Sequence, residues 1–410
     1  MTKADAGTVY SAPCTGFPSC RWSTQTQAQR LDVALSGTGF SLMNIRGAGD
    51  LALVPGARIV DSRGGAKFQA GSIYSMQVSG VGGVPLDNRV QDVILNVTVV
   101  DEVGAGFVTA WPGADVKPVG STINYQAGTP RAQLVTVPVG ANGQVWISAS
   151  QTTHMIVDVF GYHCICAPTY SRLLSDQRRV YDSRAFSPMA AGQIRPIAIP
   201  NTPSNAKSLL LNVTAVAPSS ATFMSVYAQG APLPATSNLN ANGGEVIANF
   251  VEVPVTVING TGYINIYNGG GSSHVIVDLL GFTTSLATLS QFVATPSVRL
   301  VDSRSNLGTS FGAWAAGSSR DITLAPASAA RIIPDGATAV LLNVVATGAA
   351  QDGFLTVSCG GSVGSNSTLN YKFGADRSNH TVVPLCSGRI NIYSSGATHV
   401  IVDVEGYYYS

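Results

Sequence analysis

The residues best suited to chemistry are a His and an Asp four positions apart, found three times in this chain. The pairs are His154 and Asp158 in HMIVDVFGYH, His274 and Asp278 in HVIVDLLGFT, and His399 and Asp403 in HVIVDVEGYY. Such a pair could serve in acid–base catalysis or bind a metal. In a β-strand, however, four residues at roughly 3.3 Å each separate the two groups by about 13 Å. Each pair therefore needs groups from other strands before it can form a site.

A second motif, Asp-Ser-Arg, also occurs three times, in RIVDSR (58–63), RVYDSR (179–184) and RLVDSR (299–304). Ser62 with His154 and an Asp would make a formal catalytic triad, but no Gly-x-Ser-x-Gly elbow surrounds any of these serines. The alternative is structural: because an Arg binds a carboxylate bidentately, the last Arg of the motif pairs with the closing Asp of its own repeat. The ion-pair candidates are Asp61, Arg63, Asp158, Asp182, Arg184, Asp278, Asp302, Arg304 and Asp403.

These motifs belong to a longer repeat with a period near 120 residues, which is the size of a whole domain. Each copy also contains ILNVTVV, LLNVTAV or LLNVVAT and then STINY, SNLNA or STLNY. The segments are short, alternate in polarity and are separated by Gly, Pro, Asn and Ser, which predicts strands. We expect an all-β chain of three tandem homologous β-sandwich or jelly-roll-like domains of about 115 residues. The boundaries are 1–50 for an N-terminal arm, then 51–163, 164–283 and 284–410.

Asparagine recurs at matching positions in these predicted strands, although it is unfavourable there. We therefore expect the side chains to bond to loop backbone. The residues are Asn96, Asn212 and Asn343, followed by Asn124, Asn240 and Asn370.

The composition argues against several classes of protein. Charged residues make up 11% of the chain and the net charge is +1, so a nucleic-acid partner is not expected. No apolar run approaches the roughly 18–20 residues of a membrane span. There is no phosphate loop and no EF-hand calcium loop, and we expect no cofactor or metal.

The six cysteines suit an oxidising exterior. Cys359 and Cys386 lie in one repeat and could bridge neighbouring strands. Cys164 and Cys166 are poorly placed to bond to each other, so we expect them to pair with Cys14 and Cys20, with a zinc site as the alternative. The N-terminus has no apolar signal-peptide core. Either a signal has been removed, or the protein belongs to a virion released by lysis; the MTKADAG start favours the virion.

Aromatic residues could stack on sugars, but we find none shared by all three copies. Trp111 corresponds to Tyr227 and Ser358, whereas Tyr125 and Tyr371 correspond to Ala241. Tyr267 and Tyr393 match each other, and Ser148 takes their place in the first copy. The candidates for glycan contact are Trp111, Tyr125, Tyr227 and Tyr371.

Taken together, RLVDSR, LLNVVA, GFLTV, STLNY, INIY and HVIVDVEGYY resemble a β-repeat family of secreted and surface actinobacterial proteins. The resemblance covers all but the first 50 residues, with Ser in place of the usual Thr at 62, 183 and 303. It implies an all-β accessory module without catalysis of its own. This chain has no attached enzyme domain, which implies a surface or structural role.

We therefore expect a non-enzymatic exterior structural protein, most plausibly a phage virion component such as a capsid decoration, fibre or minor tail protein. Its arm would bind other virion or cell-surface proteins, its domains would contact envelope glycans, and homo-oligomers are compatible with it. The alternatives are a secreted cell-wall glycan-binding module and, more remotely, a hydrolase. The sequence leaves open whether the domains surround a pseudo-threefold axis or stand in a row.

Overall fold

The computed structural model describes residues 33–36, 39–42 and 50–409, except 88, 114–116, 129, 141, 165–169, 286–289, 325–332 and 361–365. The chain divides into two compact units, Met1–Ala48 and Gly49–Ser410. In the first unit, β1 (Val33–Ser36) and β2 (Gly39–Leu42) form an antiparallel hairpin. All remaining elements belong to the second unit.

The second unit consists almost entirely of strands, which confirms the all-β prediction. Repeat 1 contains β3 (Asp50–Asp61), β4 (Ile73–Gln77), β5 (Val90–Val100), β6 (Gly106–Trp111), β7 (Ile123–Tyr125), β8 (Arg131–Pro138), β9 (Gln144–Ala149) and β10 (His154–Cys164). Repeat 2 contains β11 (Tyr170–Asp182), β12 (Ile194–Pro200), β13 (Ala206–Val216), β14 (Thr222–Ala228), β15 (Leu239–Ala241), β16 (Val246–Pro254), β17 (Thr256–Ile258), β18 (Thr261–Asn268) and β19 (His274–Thr284). Repeat 3 contains β20 (Gln291–Asp302), β21 (Ser318–Thr323), β22 (Ala337–Thr347), β23 (Gly353–Ser358), β24 (Leu369–Tyr371), β25 (Arg377–Pro384), β26 (Arg389–Ser394) and β27 (His399–Tyr409).

These strands form six small antiparallel sheets, two in each repeat, with the same strand order every time. The inner sheets are β3-β10-β5-β8, β11-β19-β13-β16 and β20-β27-β22-β25. The outer sheets are β4-β9-β6-β7, β12-β18-β14-β15 and β21-β26-β23-β24, and β17 adds to the second of them by pairing with β18. In the inner sheets, neighbouring strands are never consecutive in sequence, and the first strand of a repeat always pairs with the last.

The two sheets of one repeat enclose a core of their own. In repeat 1, Leu95, Val97 and Val99 of β5 point toward Val145 and Ile147 of β9, and all are buried in a single cluster. An equivalent cluster joins the two sheets of repeat 2. Each such Val, Leu or Ile contributes about 1.5–3 kcal/mol when it is fully buried. The alternate residues of the inner strands point away from this core.

Those alternate residues form a third cluster, to which all three repeats contribute. Ile94, Leu210 and Leu341 occupy equivalent positions in it, and Phe160 and Leu280 join them. The inner sheets are therefore buried on both faces, which explains the nearly continuous burial along β5, β13 and β22. The expectation of three tandem domains needs correction here, because residues 49–410 form one compact unit in which the repeats share an interior.

The glycine of each closing motif is explained by a close approach between strands. At Gly161, Gly281 and Gly406, an added Cβ would lie 2.7–2.8 Å from a carbonyl oxygen of the first strand of the same repeat. Each glycine sits at a break in strand register. Any side chain at these positions would push the first strand off the inner sheet. Among the described residues, no helix is long and apolar enough to cross a membrane.

Candidate functional site

The triplicated charges form ion pairs, but the pairing differs from the prediction. The first Arg of each motif reaches the closing Asp: Nε of Arg58, Arg179 and Arg299 lies 2.8, 3.0 and 2.8 Å from a carboxylate oxygen of Asp158, Asp278 and Asp403. The last Arg pairs within its own motif instead. Nη2 of Arg63, Arg184 and Arg304 lies 2.6, 2.6 and 2.8 Å from Asp61, Asp182 and Asp302. The predicted pairing of Arg63 with Asp158, and its equivalents, is therefore wrong.

The cause is a turn at the Asp-Ser-Arg motif. β3 ends at Asp61, and Ser62–Gly64 form a 3₁₀ turn whose first backbone amides are capped by Asp61. The Asp61 carboxylate accepts from the backbone N–H of Arg63 at 3.2 Å and from its Nε at 2.9 Å. The pKa of Asp61 is therefore held well below its usual range, chiefly by the hydrogen bond from the Arg63 side chain. The turn directs Arg63 back onto Asp61 and leaves Asp158 to Arg58.

The motif serines do meet the motif histidines, as a catalytic site would require. The Oγ atoms of Ser62, Ser183 and Ser303 lie 3.1, 3.1 and 3.0 Å from Nδ1 of His154, His274 and His399. The same Oγ accepts a backbone N–H from the closing strand, as in the 3.0 Å bond from Val400 to Ser303. Ser183 and Ser303 are fully buried.

This arrangement ties the turn to the closing strand. Each Oγ accepts a backbone N–H and shares a second hydrogen bond with Nδ1 of a histidine, and two of the three serines are fully buried. The Asp four residues beyond the His is bound to an Arg and does not orient the imidazole, as a triad would need. The structure therefore brings Ser and His together without assembling a triad.

The repeated asparagines link each repeat to the next one. Asn96 of repeat 1 donates to the carbonyl oxygen of Ser237 in repeat 2 at 2.7 Å, and Asn212 of repeat 2 donates to Ser367 O in repeat 3 at 2.8 Å. Asn343 of repeat 3 donates to Ser121 O in repeat 1. The prediction that these three side chains bond to loop backbone is confirmed. Since the third bond returns to the first repeat, the three repeats form a closed ring around a pseudo-threefold axis.

The other three asparagines behave differently. Asn240 and Asn370 bond to the hydroxyls of Ser237 and Ser367, both at 3.1 Å, and not to loop backbone. Asn124 donates its backbone N–H to the hydroxyl of Ser378 in repeat 3 at 3.0 Å. The Asn240 and Asn370 contacts thus involve the same serines whose carbonyl oxygens Asn96 and Asn212 bind.

The closing Asp takes part in the same contact between repeats. Asp403 stands opposite Asn343 in the inner sheet, and it accepts from Arg299 and from the backbone N–H of Ser121. An added Cβ on Gly120 would lie 3.2 Å from the Asp403 carboxyl carbon. Burial raises the pKa of Asp403 above its usual value, although its Arg partner opposes this. We use the name clasp for this set of four groups: the Asn (Asn343 here), the closing Asp (Asp403), the Arg that binds it (Arg299), and the serine loop of the neighbouring repeat (Ser121). Each repeat contributes one clasp. The pKa values of Asp158 and Asp278 are raised for the same reason.

The residues that pair with the clasp asparagines on the adjacent strand differ in polarity between the repeats. The residues directly opposite the three clasp asparagines are Leu134, Phe250 and His380. His380 is almost fully buried; its Nε2 lies 2.5 Å from Glu405, and its Nδ1 lies 2.6 Å from Nε2 of Gln133 in repeat 1. One polar side chain thus stands where the other two repeats have apolar ones, and it bonds to Glu405 of its own repeat and to Gln133 of a neighbour.

Further buried charges lie between repeats. Arg131 of repeat 1 and Arg377 of repeat 3 both approach Oε1 of Glu245 in repeat 2, at 3.3 and 3.4 Å. Burial lowers the pKa of Arg131 to about 10. Burial also tends to raise the pKa of Glu245, but the two arginines outweigh it, so that pKa lies below its usual value. The three repeats thus share one ion-pair network.

A second polar group lies on the same inner sheets. His163 Nδ1 lies 2.6 Å from the Asp92 carboxylate, while the buried Glu252 accepts from Ser208 at 2.9 Å. Burial raises the pKa of Glu252, with the charge of His163 opposing and that of Asp92 adding to the rise.

The predicted glycan contacts are wrong. Trp111, Tyr125, Tyr227 and Tyr371 are 3%, 0%, 7% and 3% exposed, so none can stack on a sugar from solvent. A shared aromatic position was missed: Phe107, Phe223 and Phe354 occupy the second residue of β6, β14 and β23. Phe107 and Phe223 are 38% and 40% exposed. The sequence does show this position, because Phe is the second residue in each of the matching segments GFVTAW, TFMSVYA and GFLTVS.

The cysteine predictions are partly tested. Cys359 and Cys386 form a disulfide with a Cα–Cα distance of 5.1 Å, as predicted. Cys164 is also disulfide-bonded, while Cys14, Cys20 and Cys166 lie outside the described residues. Within the described part of the chain, no group of three or more His, Cys, Asp and Glu could hold a metal ion.

Fold and site together define a single-chain ring of three two-sheet repeats, joined by clasps. No family model and no curated protein matches this sequence. Among solved structures, the chain is similar to one described as "The Triple Jelly Roll Fold and Turret Assembly in an Archaeal Virus", at 10% identity, covering 88% of this chain and 89% of that one, with a TM-score of 0.16. A second, from Sulfolobus Turreted Icosahedral Virus, matches at 10% identity over 88% and 90%, with a TM-score of 0.17.

Proposed function

We propose that this chain is a non-enzymatic exterior structural protein, specifically a virion component such as a capsid decoration, fibre or minor tail protein. The observation that carries the proposal is the closed ring of three clasps, made by Asn96, Asn212 and Asn343. A ring of this kind gives one chain the shape of a trimer. Capsid vertices and fibres are built from symmetric units, which a pseudo-trimer fits.

We further propose that each repeat is a jelly-roll-like sandwich. The strand order supports this. In repeats 1 and 3, the inner sheet takes the first, eighth, third and sixth strands and the outer sheet takes the second, seventh, fourth and fifth, and repeat 2 has the same order apart from its added strand β17. The single core shared by both sheets of repeat 1 supports it too. Six small sheets would also suit a six-bladed propeller. In a propeller blade, however, the four strands of one sheet follow each other along the chain, and here they alternate between two sheets.

We also propose that the protein is not an enzyme. This is supported by the hydrogen bonds of the triplicated polar side chains, which are made within the protein. The triplicated Arg, Asp, Ser and Asn side chains bind one another or a neighbouring loop. Such groups hold the ring together and are not presented to a substrate. The disulfide between Cys359 and Cys386 suits a protein that works outside the reducing cytoplasm.

The test is to locate the protein in lysates of its source culture. Particles would be purified by density-gradient centrifugation, and the chain would be quantified in them by mass spectrometry and immunogold labelling. We expect it to co-sediment with particles at a constant copy number per particle and to label their exterior. Recovery only in the cell-envelope fraction, with none on particles, would overturn the virion assignment.

The second candidate is a secreted cell-surface or cell-wall module. It is supported by the resemblance of the repeat motifs to the actinobacterial surface family, which covers residues 51–410. Saturable binding of the protein to purified cell walls, together with its absence from particles, would favour this candidate over the first.

A further inference from the structure

Two outer sheets present the same pair of aromatic rings on the face that points away from the sandwich core. In repeat 2, the ring centroids of Phe223 and Tyr267 lie 5.8 Å apart at 51°. In repeat 3, those of Phe354 and Tyr393 lie 5.9 Å apart at 49°. These four rings are at least partly exposed. Independent sandwiches therefore carry an identical apolar platform on the outer surface of the ring.

In repeat 3, a hydrogen-bonding group stands beside the platform. Asp321 is exposed, lies opposite Asn391 on the same sheet face, and accepts a 2.7 Å bond from the Asn391 amide. The amide binds one carboxylate oxygen of this exposed side chain, and Asn391 lies two residues before Tyr393 on the same strand. In repeat 2, the partly exposed amide of Asn265 holds the position equivalent to Asn391.

Repeat 1 has the phenylalanine without the platform. Ser148 stands where the other repeats have Tyr267 and Tyr393, and the ammonium group of Lys117 lies 5.6 Å from the centre of the Phe107 ring. The same ammonium group donates to Ser148 Oγ at 3.3 Å. A cation–π contact therefore occupies the Phe107 ring face.

We propose that the Phe354–Tyr393 and Phe223–Tyr267 platforms are saccharide-binding sites, with Asp321 and Asn265 as the groups that bind sugar hydroxyls. A pyranose ring has one apolar C–H face, which suits an aromatic ring, and a rim of hydroxyls, which suits a carboxylate or amide acceptor. The platforms are small and each has a polar group at its edge, which matches one or two sugar residues better than a protein surface of about 800 Å².

This inference goes beyond the proposed function, because it holds whether the chain sits on a particle or on a cell. It also predicts two sites on one rigid unit. A polysaccharide that reaches both sites binds the second one intramolecularly, so its avidity exceeds the affinity of either site.

The test uses the full chain in affinity gel electrophoresis with soluble mannan, β-glucan and arabinogalactan as probes. We expect at least one of them to retard the wild-type protein. Y393A and Y267A should each weaken retardation, and the double variant should lose it by about tenfold or more because avidity is lost as well. D321A should weaken binding while leaving the rings in place.

The matched control is F107A, an exposed Phe at the same strand position in the repeat without a platform, which should bind as wild type does. Thermal melts of every variant establish that it is folded. No retardation by any probe, or retardation unchanged in the double tyrosine variant, would overturn the inference. Neither result bears on whether the chain is found on particles, so the two proposals fail separately.

Discussion

Asn343 in the third repeat donates its side-chain amide to the carbonyl oxygen of Ser121 in the first repeat, 222 residues earlier in the chain. Its counterparts Asn96 and Asn212 bind forward to the next repeat, so this bond closes the ring. The donor is a side chain, so this contact requires asparagine at position 343. The acceptor is a backbone carbonyl, so the contact does not require a particular residue type at position 121.

Removal of this bond should destabilise the protein. Asn343 is fully buried, so N343A leaves the buried Ser121 carbonyl without its donor, at a cost of about 1–3 kcal/mol. Urea titration followed by intrinsic fluorescence should show a lower midpoint. The control N370A changes a partly exposed Asn that bonds only to a serine hydroxyl, and its midpoint should stay close to that of the wild type. Equal midpoints for both variants would rule out the clasp as a source of stability.

The two arginines of one motif should differ sharply in their effect. R299A leaves the buried carboxylate of Asp403 without its partner, which costs about 3–5 kcal/mol. R304A removes a pair with Asp302 in which the Arg side chain is 47% exposed, and we expect at most about 1 kcal/mol. Melting temperatures measured side by side give the ranking. A larger loss of stability in R304A than in R299A would instead favour a pair between Arg304 and Asp403, as the sequence suggested.

The motif serines should resist a nucleophile-directed reagent. Ser303 is fully buried and its hydroxyl is held between His399 and the Val400 N–H, so a fluorophosphonate probe has no path to it. Intact-protein mass spectrometry should show no adduct on the folded chain. The wild type and the S303A variant should give the same null result. An adduct that S303A abolishes would revive the hydrolase alternative.

Glu252 should make the protein less stable as the pH rises. Its folded-state pKa is raised by burial above the unfolded value of about 4.3, so its contribution is fully present below that pH and is lost as the pH rises through the folded pKa. E252Q cannot ionise, so it should melt higher than the wild type at pH 8 and equally at pH 4. The control is D352N, which changes an exposed carboxylate that pairs with Lys372 on the surface. Because this carboxylate is not buried, D352N should not melt higher than the wild type at pH 8. A variant that melts lower than the wild type at pH 8 would contradict this account.

The repeat pattern predicted the all-β class and the Cys359–Cys386 bridge, because alternation and spacing are local signals. The Arg58–Asp158 pair was missed because Asp61 caps a 3₁₀ turn that directs Arg63 back onto Asp61, and the sequence pattern did not indicate this turn. The ring could not be predicted, because its contacts end on backbone carbonyls such as that of Ser121. Every residue has a backbone carbonyl, so the sequence does not indicate which one is the acceptor. The platforms were missed because only Trp and Tyr were compared between repeats, although Phe107, Phe223 and Phe354 share one position.

The fusion of three repeats into one polypeptide has a consequence for the residues that line the axis. A homotrimer must place three copies of each side chain there, and three buried histidines would repel one another when charged. This chain places Leu134, Phe250 and His380 at equivalent points, so a single imidazole bonds to Glu405 and Gln133. Closure of the ring is also intramolecular, so dilution does not dissociate it. A single chain thus provides threefold geometry with a fixed stoichiometry.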